Sequence, residues 1–367
     1  MKIETSLKKL KEIIPLIERI AGKQPTLPVL SCILIENTKN TTVFRATNLD
    51  VGIEIPLATK SEGTGTIAVP AHTLAAFISQ INDQNQQVRL ELVSNNLVIT
   101  SAKSKGTIKT LPPEDFPAIP KVSDGQQFSV SAELFVKGLR SVWYSAAVSG
   151  IKPELSSIYI YEDKGYIVFV ATDSFRLAEK KIKATVSQMH DMLIPLKNIP
   201  DIIRTLEGVP GDVKIRSNKN LVSFEAGDAY LASRIIDGVF PDYRQIIPKS
   251  FGTEAVVLKQ DLINALKVSN VFSDKFNQIH IALDPKNKSF EIQTKNSDVG
   301  ENKTAVDAAL SGDKMEINFN YKYVSDCFQS IESDSLSLQL SGANRPMVIR
   351  PVSGDQTFMY LVMPMNR

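Results

Sequence analysis

Histidine, cysteine and tryptophan are scarce in this 367-residue sequence, at three, two and one residues. His72, His190 and His280 stand far apart, and Cys32 and Cys327 have no companions at metal-ligand spacing, so no metal centre or other cofactor is expected. Two distant cysteines in apolar settings cannot staple a fold and read as buried free thiols. No apolar run approaches the roughly 18 residues that cross a bilayer. The opening Met1-Lys2-Ile3-Glu4-Thr5-Ser6 turns polar at once, with no apolar segment or small-residue cleavage site after it, which points to a cytoplasmic protein. An excess of one charge is missing too: 42 basic residues face 40 acidic ones, so composition alone does not announce a nucleic-acid partner. Catalytic signatures are absent. There is no Gly-x-x-x-x-Gly-Lys-Ser/Thr loop for a nucleotide and no Gly-x-Ser-x-Gly elbow. Gly63-Thr64-Gly65 reads as a turn, and Glu114-Asp115, set among prolines, as exposed linker.

What the sequence does contain is a long internal repeat. The length suggests two or three domains, and 43% hydrophobic with 22% charged residues is ordinary for a soluble globular chain. Three times a short strand leads into an amphipathic helix: Lys2–Thr5 before Leu7, Leu10, Ile13, Ile14 and Ile17; Phe128–Ser131 before Leu134, Phe135, Leu139 and Val142; Ala255–Leu258 before Leu262, Ile263, Leu266 and Val268. Apolar residues recur at three and four, and a polar residue is expected at each N-cap. Thr42-Val43-Phe44-Arg45-Ala46-Thr47-Asn48 is answered by Ile167-Val168-Phe169-Val170-Ala171-Thr172-Asp173, with Thr47 and Thr172 standing 125 residues apart. Phe290–Thr294 is a weaker third echo. Pro70 and Pro195, also 125 apart, precede second helices predicted over 74–81 and 199–206, and a third is predicted over 321–331. Alternating strands around Asn95-Asn96 and Asn218-Lys219-Asn220 read as hairpins. Phe116-Pro117-Ala118-Ile119-Pro120 and Phe240-Pro241-Asp242-Tyr243 close the first two copies.

A period this long marks domains rather than solenoid units. The boundaries fall near 1–122, 123–250 and 251–367. Each domain is expected to be α+β, with two helices packed on antiparallel sheets.

Four runs carry a resemblance: Pro25-Thr26-Leu27-Pro28-Val29-Leu30, Ala171-Thr172-Asp173-Ser174-Phe175-Arg176-Leu177-Ala178, Asp237-Gly238-Val239-Phe240-Pro241-Asp242-Tyr243-Arg244 and Tyr360-Leu361-Val362-Met363-Pro364-Met365. Together with the threefold repeat they resemble, along the whole chain, the bacterial DNA polymerase III beta subunits, the DNA sliding clamps. The resemblance implies three repeated clamp domains, and two chains joined head-to-tail in a ring around duplex DNA. It also implies a non-enzymatic role that gives a polymerase processivity. The partners it implies are double-stranded DNA without sequence preference, the polymerase catalytic subunit, the clamp loader complex, other proteins carrying clamp-binding motifs, and a second copy of the chain.

A clamp must hold phosphate without reading bases, and retention by topology lets single contacts stay weak. The first helix region carries Lys8, Lys9, Lys11, Arg19 and Lys23 against Glu12 and Glu18. The DNA-facing candidates are Lys8, Lys23, Gln24, Lys137, Arg140, Lys197 and Arg204. By position, Lys23 and Gln24 lie beside the family's basic contact site, and Lys197 matches another. Family aromatics ahead of Leu155 are replaced by Pro153 and Glu154, which puts those contacts in doubt.

The resemblance also implies a groove for short apolar-acidic peptides, matched here by Leu155, Thr172, Ser174, Phe175, Arg176, Leu177, Pro241, Gln245, Ile246, Leu361, Met363, Pro364 and Met365. Methionine and leucine suit an adaptable surface, and Arg176 could fix a carbonyl or carboxylate. Read without the resemblance, Leu177, Ile246 and Leu361 are plain core. Phe175 stands where a histidine is frequent and Gln245 where some members carry arginine, so the peptides taken here should be more apolar. Dimer contacts are expected around Phe77–Gln80, Lys103–Thr107 and Val268–Phe276. Two other readings remain at this stage: a hydrolase or transferase using Asp173 and Arg176, and a monomeric peptide-binding scaffold.

Overall fold

The computed structural model describes residues 1–22, 27–39, 41–82, 87–184, 186 and 189–365. One element order runs through it three times, except that the second copy lacks, among the described residues, the short strand that pairs with the first strand of the other two (Lys60–Glu62 and Ala308–Gly312). The first copy has β1 (Lys2–Ser6), α1 (Leu7–Ile20), β2 (Cys32–Asn37), β3 (Thr42–Thr47), β4 (Val51–Leu57), β5 (Lys60–Glu62), β6 (Gly65–Pro70), α2 (Ala71–Gln80), β7 (Gln87–Val93), β8 (Asn96–Thr100) and β9 (Lys105–Lys109). The second has β10 (Gln126–Ser131), α3 (Ala132–Val142), β11 (Ser157–Asp163), β12 (Tyr166–Thr172), β13 (Arg176–Lys183), β14 (Met192–Pro195), α4 (Ile199–Leu206), β15 (Asp212–Ser217), β16 (Leu221–Ala226) and β17 (Ala229–Arg234). The third has β18 (Thr253–Leu258), α5 (Lys259–Asn270), β19 (Gln278–Asp284), β20 (Ser289–Asn296), β21 (Gly300–Ala305), β22 (Ala308–Gly312), β23 (Met315–Asn320), α6 (Tyr321–Ser325), β24 (Ser335–Leu340), β25 (Met347–Pro351) and β26 (Phe358–Val362).

Local chemistry explains these elements. In α1, Leu7, Leu10, Ile14, Ile17 and Ile20 are buried, a stripe at three and four that leaves Lys8, Lys9 and Lys11 in solvent. Pro15 lies inside this helix on its exposed side. Strands such as β19 alternate half-buried and buried residues. Three expectations needed correction. Ser6 occupies the N-cap of α1 without a side-chain bond, and α5 follows Leu258, so a polar cap is not general. The third copy's second helix is α-helical only over Tyr321–Ser325 and tightens to a 3₁₀ turn over Asp326–Ser330. The β7–β8 turn is made by Ser94 and Asn95, both at positive φ, and Asn96 already begins β8.

The sheets do not stop where the repeats do. Their strand orders are β5-β1-β7-β8-β9, β10-β15-β16-β17-β4-β3-β2-β6, β14-β11-β12-β13-β26-β25-β24-β18-β22 and β21-β20-β19-β23. The last strand of the second copy, β17, pairs with β4 of the first, and β26 of the third pairs with β13 of the second, both antiparallel. The described chain accordingly forms two compact units that cut across the second copy. One comprises 1–136, 187–190 and 197–235, and the other 137–186, 191–196 and 236–367. The first unit holds the first two sheets, and the second holds the other two. In the second unit, Val168, Val170, Leu177, Leu193, Val348 and Leu361 pack into one core with Phe240 and Tyr243.

Candidate partner-binding site and basic helix faces

The sequence-matched groove residues all lie in the second unit, mostly where β12 turns into β13 beside the end of β26. The turn is built by side chains bonding to backbone. Thr172 Oγ1 donates to the Arg176 carbonyl (2.6 Å) and accepts from the Ser174 N–H (3.1 Å), while Asp173 Oδ1 accepts from the N–H groups of Phe175 (2.9 Å) and Arg176 (3.0 Å). Ser174 sits at φ +77°, a left-handed conformation uncommon for residues other than glycine. The result pushes Phe175 outward, 58% exposed, with its ring stacked on Tyr323 at 6.1 Å.

Next to the turn, Leu177 pairs with Leu361 across β13 and β26, and both are buried in the core, with Met363 half-buried against the same cluster. The Met363 N–H donates to the Phe175 carbonyl (2.8 Å), and the Met365 N–H to the Asn318 carbonyl (2.8 Å). Leu177, Leu361 and Leu155 are therefore buried rather than surface, as the plain-core reading of the first two anticipated. Met363, Pro364 and Met365 stay partly accessible. Ile246, at 44% exposure, is not core. It ends a 3₁₀ turn over Tyr243–Ile246, in which the exposed Gln245 donates to Asp242 (2.8 Å), and Pro241 is exposed just before it.

Arg176 is engaged within the chain. Its Nε donates to Asp173 Oδ2 (3.0 Å), and a second guanidinium nitrogen contacts the Asp326 carboxylate. Burial alone would lower its pKa, but Tyr360, Asp173 and Asp326 outweigh that and hold it above its ordinary value. So Arg176 braces the β12–β13 turn against Tyr323 and Asp326. Asp173, needed by the hydrolase reading as a free acid, is consumed in building the turn. No group of His, Cys, Asp or Glu among the described residues could hold a metal ion. Cys32 and Cys327 are both buried and free, with burial pushing the Cys32 thiol up to about 11. Sequence reasoning missed Tyr323 and Asp326. Both fall in the predicted third-copy helix, whose aromatic–acid pair was the available signal.

The basic candidates divide. Lys8 on α1 and Arg140 and Arg204 near the ends of α3 and α4 are exposed. Lys197 is exposed but donates to Asp50 (2.6 Å). Lys137 is half-buried between Glu332 (2.7 Å) and Asp355 (3.6 Å), so its charge is spent inside the second unit. Lys23 and Gln24 lie outside the described residues.

Comparison with known proteins gives these features a family. The DNA polymerase III beta subunit N-terminal, central and C-terminal domains match residues 1–120, 129–242 and 244–366. A beta sliding clamp of Synechococcus elongatus is 27% identical over 376 residues, spanning 100% of this chain and 99% of that one. A beta sliding clamp of Proteus mirabilis is 27% identical over 94% of each. Crystal structures of DNA polymerase III beta subunits from Thermotoga maritima and Pseudomonas aeruginosa share the fold at TM-scores of 0.94, each 24% identical and covering all of this chain. With its three domains accounted for in order, the chain belongs to the DNA polymerase III beta subunit family, and is a DNA sliding clamp, a processivity factor with no chemistry of its own.

Proposed function

We propose that two copies of this chain pair head-to-tail into a closed ring on duplex DNA, with β9 of each copy joining β21 of the other. One observation carries this reading. Wherever the chain has both strands to offer, the last strand of one repeat pairs with the fourth strand of the preceding repeat, as β17 does with β4 and β26 with β13. The rule leaves β9 and β21 as the two equivalents without an outer partner among the described residues. An unpaired edge is a template for another chain, and here the two open edges are complementary by the molecule's own pairing rule. Exposed Val268, Val271 and Phe276 lie on and just beyond α5, which packs on β21, and Phe77 of α2 lies against Gly106 of β9.

In this reading, weak phosphate contacts are assigned to Lys8, Lys23, Gln24, Arg140, Lys197 and Arg204, and Lys137 serves structure first. The groove around Phe175, Met363 and Met365 takes peptides from the polymerase catalytic subunit, the clamp loader and other proteins with clamp-binding motifs. Gln245 held on Asp242, with Phe175 exposed, fits a peptide preference weighted toward apolar side chains. The domain boundaries are placed at 1–122, 123–250 and 251–367, and the site of action in the cytoplasm. Among the described residues no helix is long and apolar enough to span a membrane.

The test is retention after loading by a clamp loader. The protein should persist on nicked circular DNA and leave linear DNA through its free ends. Its unloaded affinity for linear DNA should fall steeply between 50 and 200 mM salt, values over which phosphate contacts are known to weaken. Equal retention on both templates, or a single-chain mass by light scattering at high concentration, would overturn it.

A further inference from the structure

The β12–β13 turn has a structural duplicate in the first unit, at the β3–β4 turn. Thr47 Oγ1 donates to the Val51 carbonyl (2.9 Å) and accepts from the Leu49 N–H (3.1 Å), while Asn48 Oδ1 accepts from the N–H groups of Asp50 (3.0 Å) and Val51 (2.8 Å). These are the bonds of Thr172, Asp173, Ser174, Phe175 and Arg176, moved by 125 positions. Leu49 adopts φ +74°, as Ser174 adopts +77°. The neighbouring strand also repeats, for the Arg234 N–H donates to the Asp50 carbonyl (2.8 Å) as the Met363 N–H does to Phe175. The segment Pro117-Ala118 stands where Pro241-Asp242 stands in the other copy.

A groove of about 520 Å³ lies in this frame, lined among others by Leu49, Pro117, Ala118, Leu221, Ile235 and Arg234. Its side chains differ from those of the other copy in a directed way. Leu49, 47% exposed, and the two proline-segment residues keep an apolar wall, but Asp50 and Arg234 replace Phe175 and Met363. Asp50 is neutralised by Lys197 at 2.6 Å. Arg234 is exposed and makes no ion pair among the described residues. A groove of mixed polarity, with an apolar wall at Leu49, Pro117 and Ala118 and one guanidinium without an ion pair among the described residues, is matched by a short segment that offers apolar side chains and a carboxylate, since a charge-assisted pair to Arg is geometrically selective.

We propose that this groove is a second peptide-docking site, selecting a short apolar segment that carries a carboxylate. The inference rests on the reading of the Phe175–Met363 groove as a peptide site, and it divides labour: one groove weights apolar contact, the other requires an acid. A clamp with both could hold two partners per chain, or two motifs of one partner, with the avidity that linkage brings.

The probe is a fluorescein-labelled pentapeptide, Leu-Pro-Leu-Glu-Phe, with a Gln-for-Glu counterpart, titrated against the full chain and three variants: Met363→Ala/Met365→Ala, Arg234→Glu, and all three changes combined. Arg234 is exposed, so its replacement leaves the fold intact, and Leu49→Ser gives a second, uncharged test of the same wall. The inference expects residual, saturable binding in the double methionine variant. That binding should weaken about tenfold with the Gln peptide and be lost with Arg234→Glu or Leu49→Ser. If the parent binds but the double methionine variant binds nothing, the second site is overturned and the first stands. If the methionine changes leave all binding in place while Arg234→Glu removes it, the second site stands and the first falls. No binding to the parent overturns both.

Discussion

The guanidinium of Arg176 lies over the ring of Tyr323, its central carbon 4.9 Å from the ring centre, and the same ring carries Phe175 on its stack. Arg176 thus ties the β12–β13 turn, through Asp173, to α6 and the 3₁₀ turn after it, through a cation–π contact with Tyr323 and the Asp326 carboxylate. Only 12% of its side chain is exposed. Replacing Arg176 with Ala leaves both carboxylates without their cation. A fully buried pair broken this way costs about 3–5 kcal/mol, and the partial exposure of Asp326 reduces that to about 2–3 kcal/mol here. Arg176→Lys should recover less than half, because an ammonium cannot span two carboxylates as a planar fork does. Urea midpoints for the two variants check this, and equal midpoints for Ala and parent would show the bridge to be idle.

The two methionines of the C-terminal strand end differ from their surroundings in being half-buried rather than sealed. Each is fixed by its backbone: Met363 on Phe175, Met365 on Asn318. Truncating both to Ala removes apolar contact surface without touching those bonds. A bound peptide should then lose on the order of tenfold in affinity per methionine, while the protein keeps its mass and a single cooperative unfolding transition, its midpoint lowered by the core contact that Met363 loses. Fluorescence anisotropy with a clamp-binding peptide reads the first, light scattering and urea titration the second. Unchanged affinity would move the peptide site elsewhere.

Much of this was legible beforehand, and the line between legible and illegible is a distance along the chain. The stripe of α1, the helix over Ile199–Leu206 and the paired motifs ending in Thr47 and Thr172 all depend on neighbours within a few residues, so their periodicity carries them. The join of Tyr230 to Glu54 in β17 and β4 does not, since nothing in either strand names its partner. The same holds for Arg176 and Asp326, which lie 150 residues apart, and for Lys137, whose two carboxylates are in the third repeat. A helix position read as DNA-facing is in that case a half-buried bridge. The resemblance pointed to these residues as a set, but nothing in the sequence separates Leu177 and Leu361, sealed in the core, from the exposed Phe175 and the half-buried Met363.

Gly138 shows packing overruling helix propensity. It lies inside α3, where Ala would ordinarily be worth about 1 kcal/mol more than Gly. A Cβ at this position would come within 2.5 Å of the Phe169 ring, which is fully buried. Phe169 has no solvent to retreat into, so overpacking of about 2–3 kcal/mol outweighs the propensity gain. Gly138→Ala should therefore lower stability by about 1–2 kcal/mol. A urea midpoint at or above the parent's would show that the ring can move.

Acid stability should hinge on Asp355, which meets Lys180, Lys137 and Thr357, with Glu332 on the far side of Lys137. Burial raises the pKa of the Asp355 carboxyl, but Lys180 and Thr357 outweigh burial and hold it well below the usual carboxylate range. Burial acts on Lys180 as well, lowering its ammonium pKa, although the same carboxylate opposes the shift. In acid that second effect is silent, since Lys180 is charged whether folded or not. A depressed carboxylate pKa contributes stability that is complete above the unfolded value near 4 and is lost as pH falls toward the folded one. Lys180→Met removes the cation that depresses it. The variant should be less stable at pH 7, and its stability should change less than the parent's below about pH 4. Parallel curves for the two proteins would defeat this assignment.

The open strand edges make the sharpest demand on solution behaviour. Val271, at the C-cap of α5, is 66% exposed, and Phe276, in the segment that follows, 58%; α5 itself packs on β21. Large apolar side chains left in water next to an unpaired strand are costly in a monomer and are covered if β9 of a second copy docks there. Glu substitutions at both positions would bring two carboxylates toward that joint, and burying an unpaired charge opposes association far more than the lost apolar area does. Neither residue belongs to a core, so the fold should survive. Light scattering should show the mass fall from two chains to one across the micromolar range. Loading onto circular DNA should be lost, while peptide affinity at the Phe175–Met363 groove, built within one chain, stays within about twofold of the parent's. A double variant that keeps its two-chain mass would mean that the dimer closes through some other surface, and the strand-pairing rule would then end at the chain's own termini.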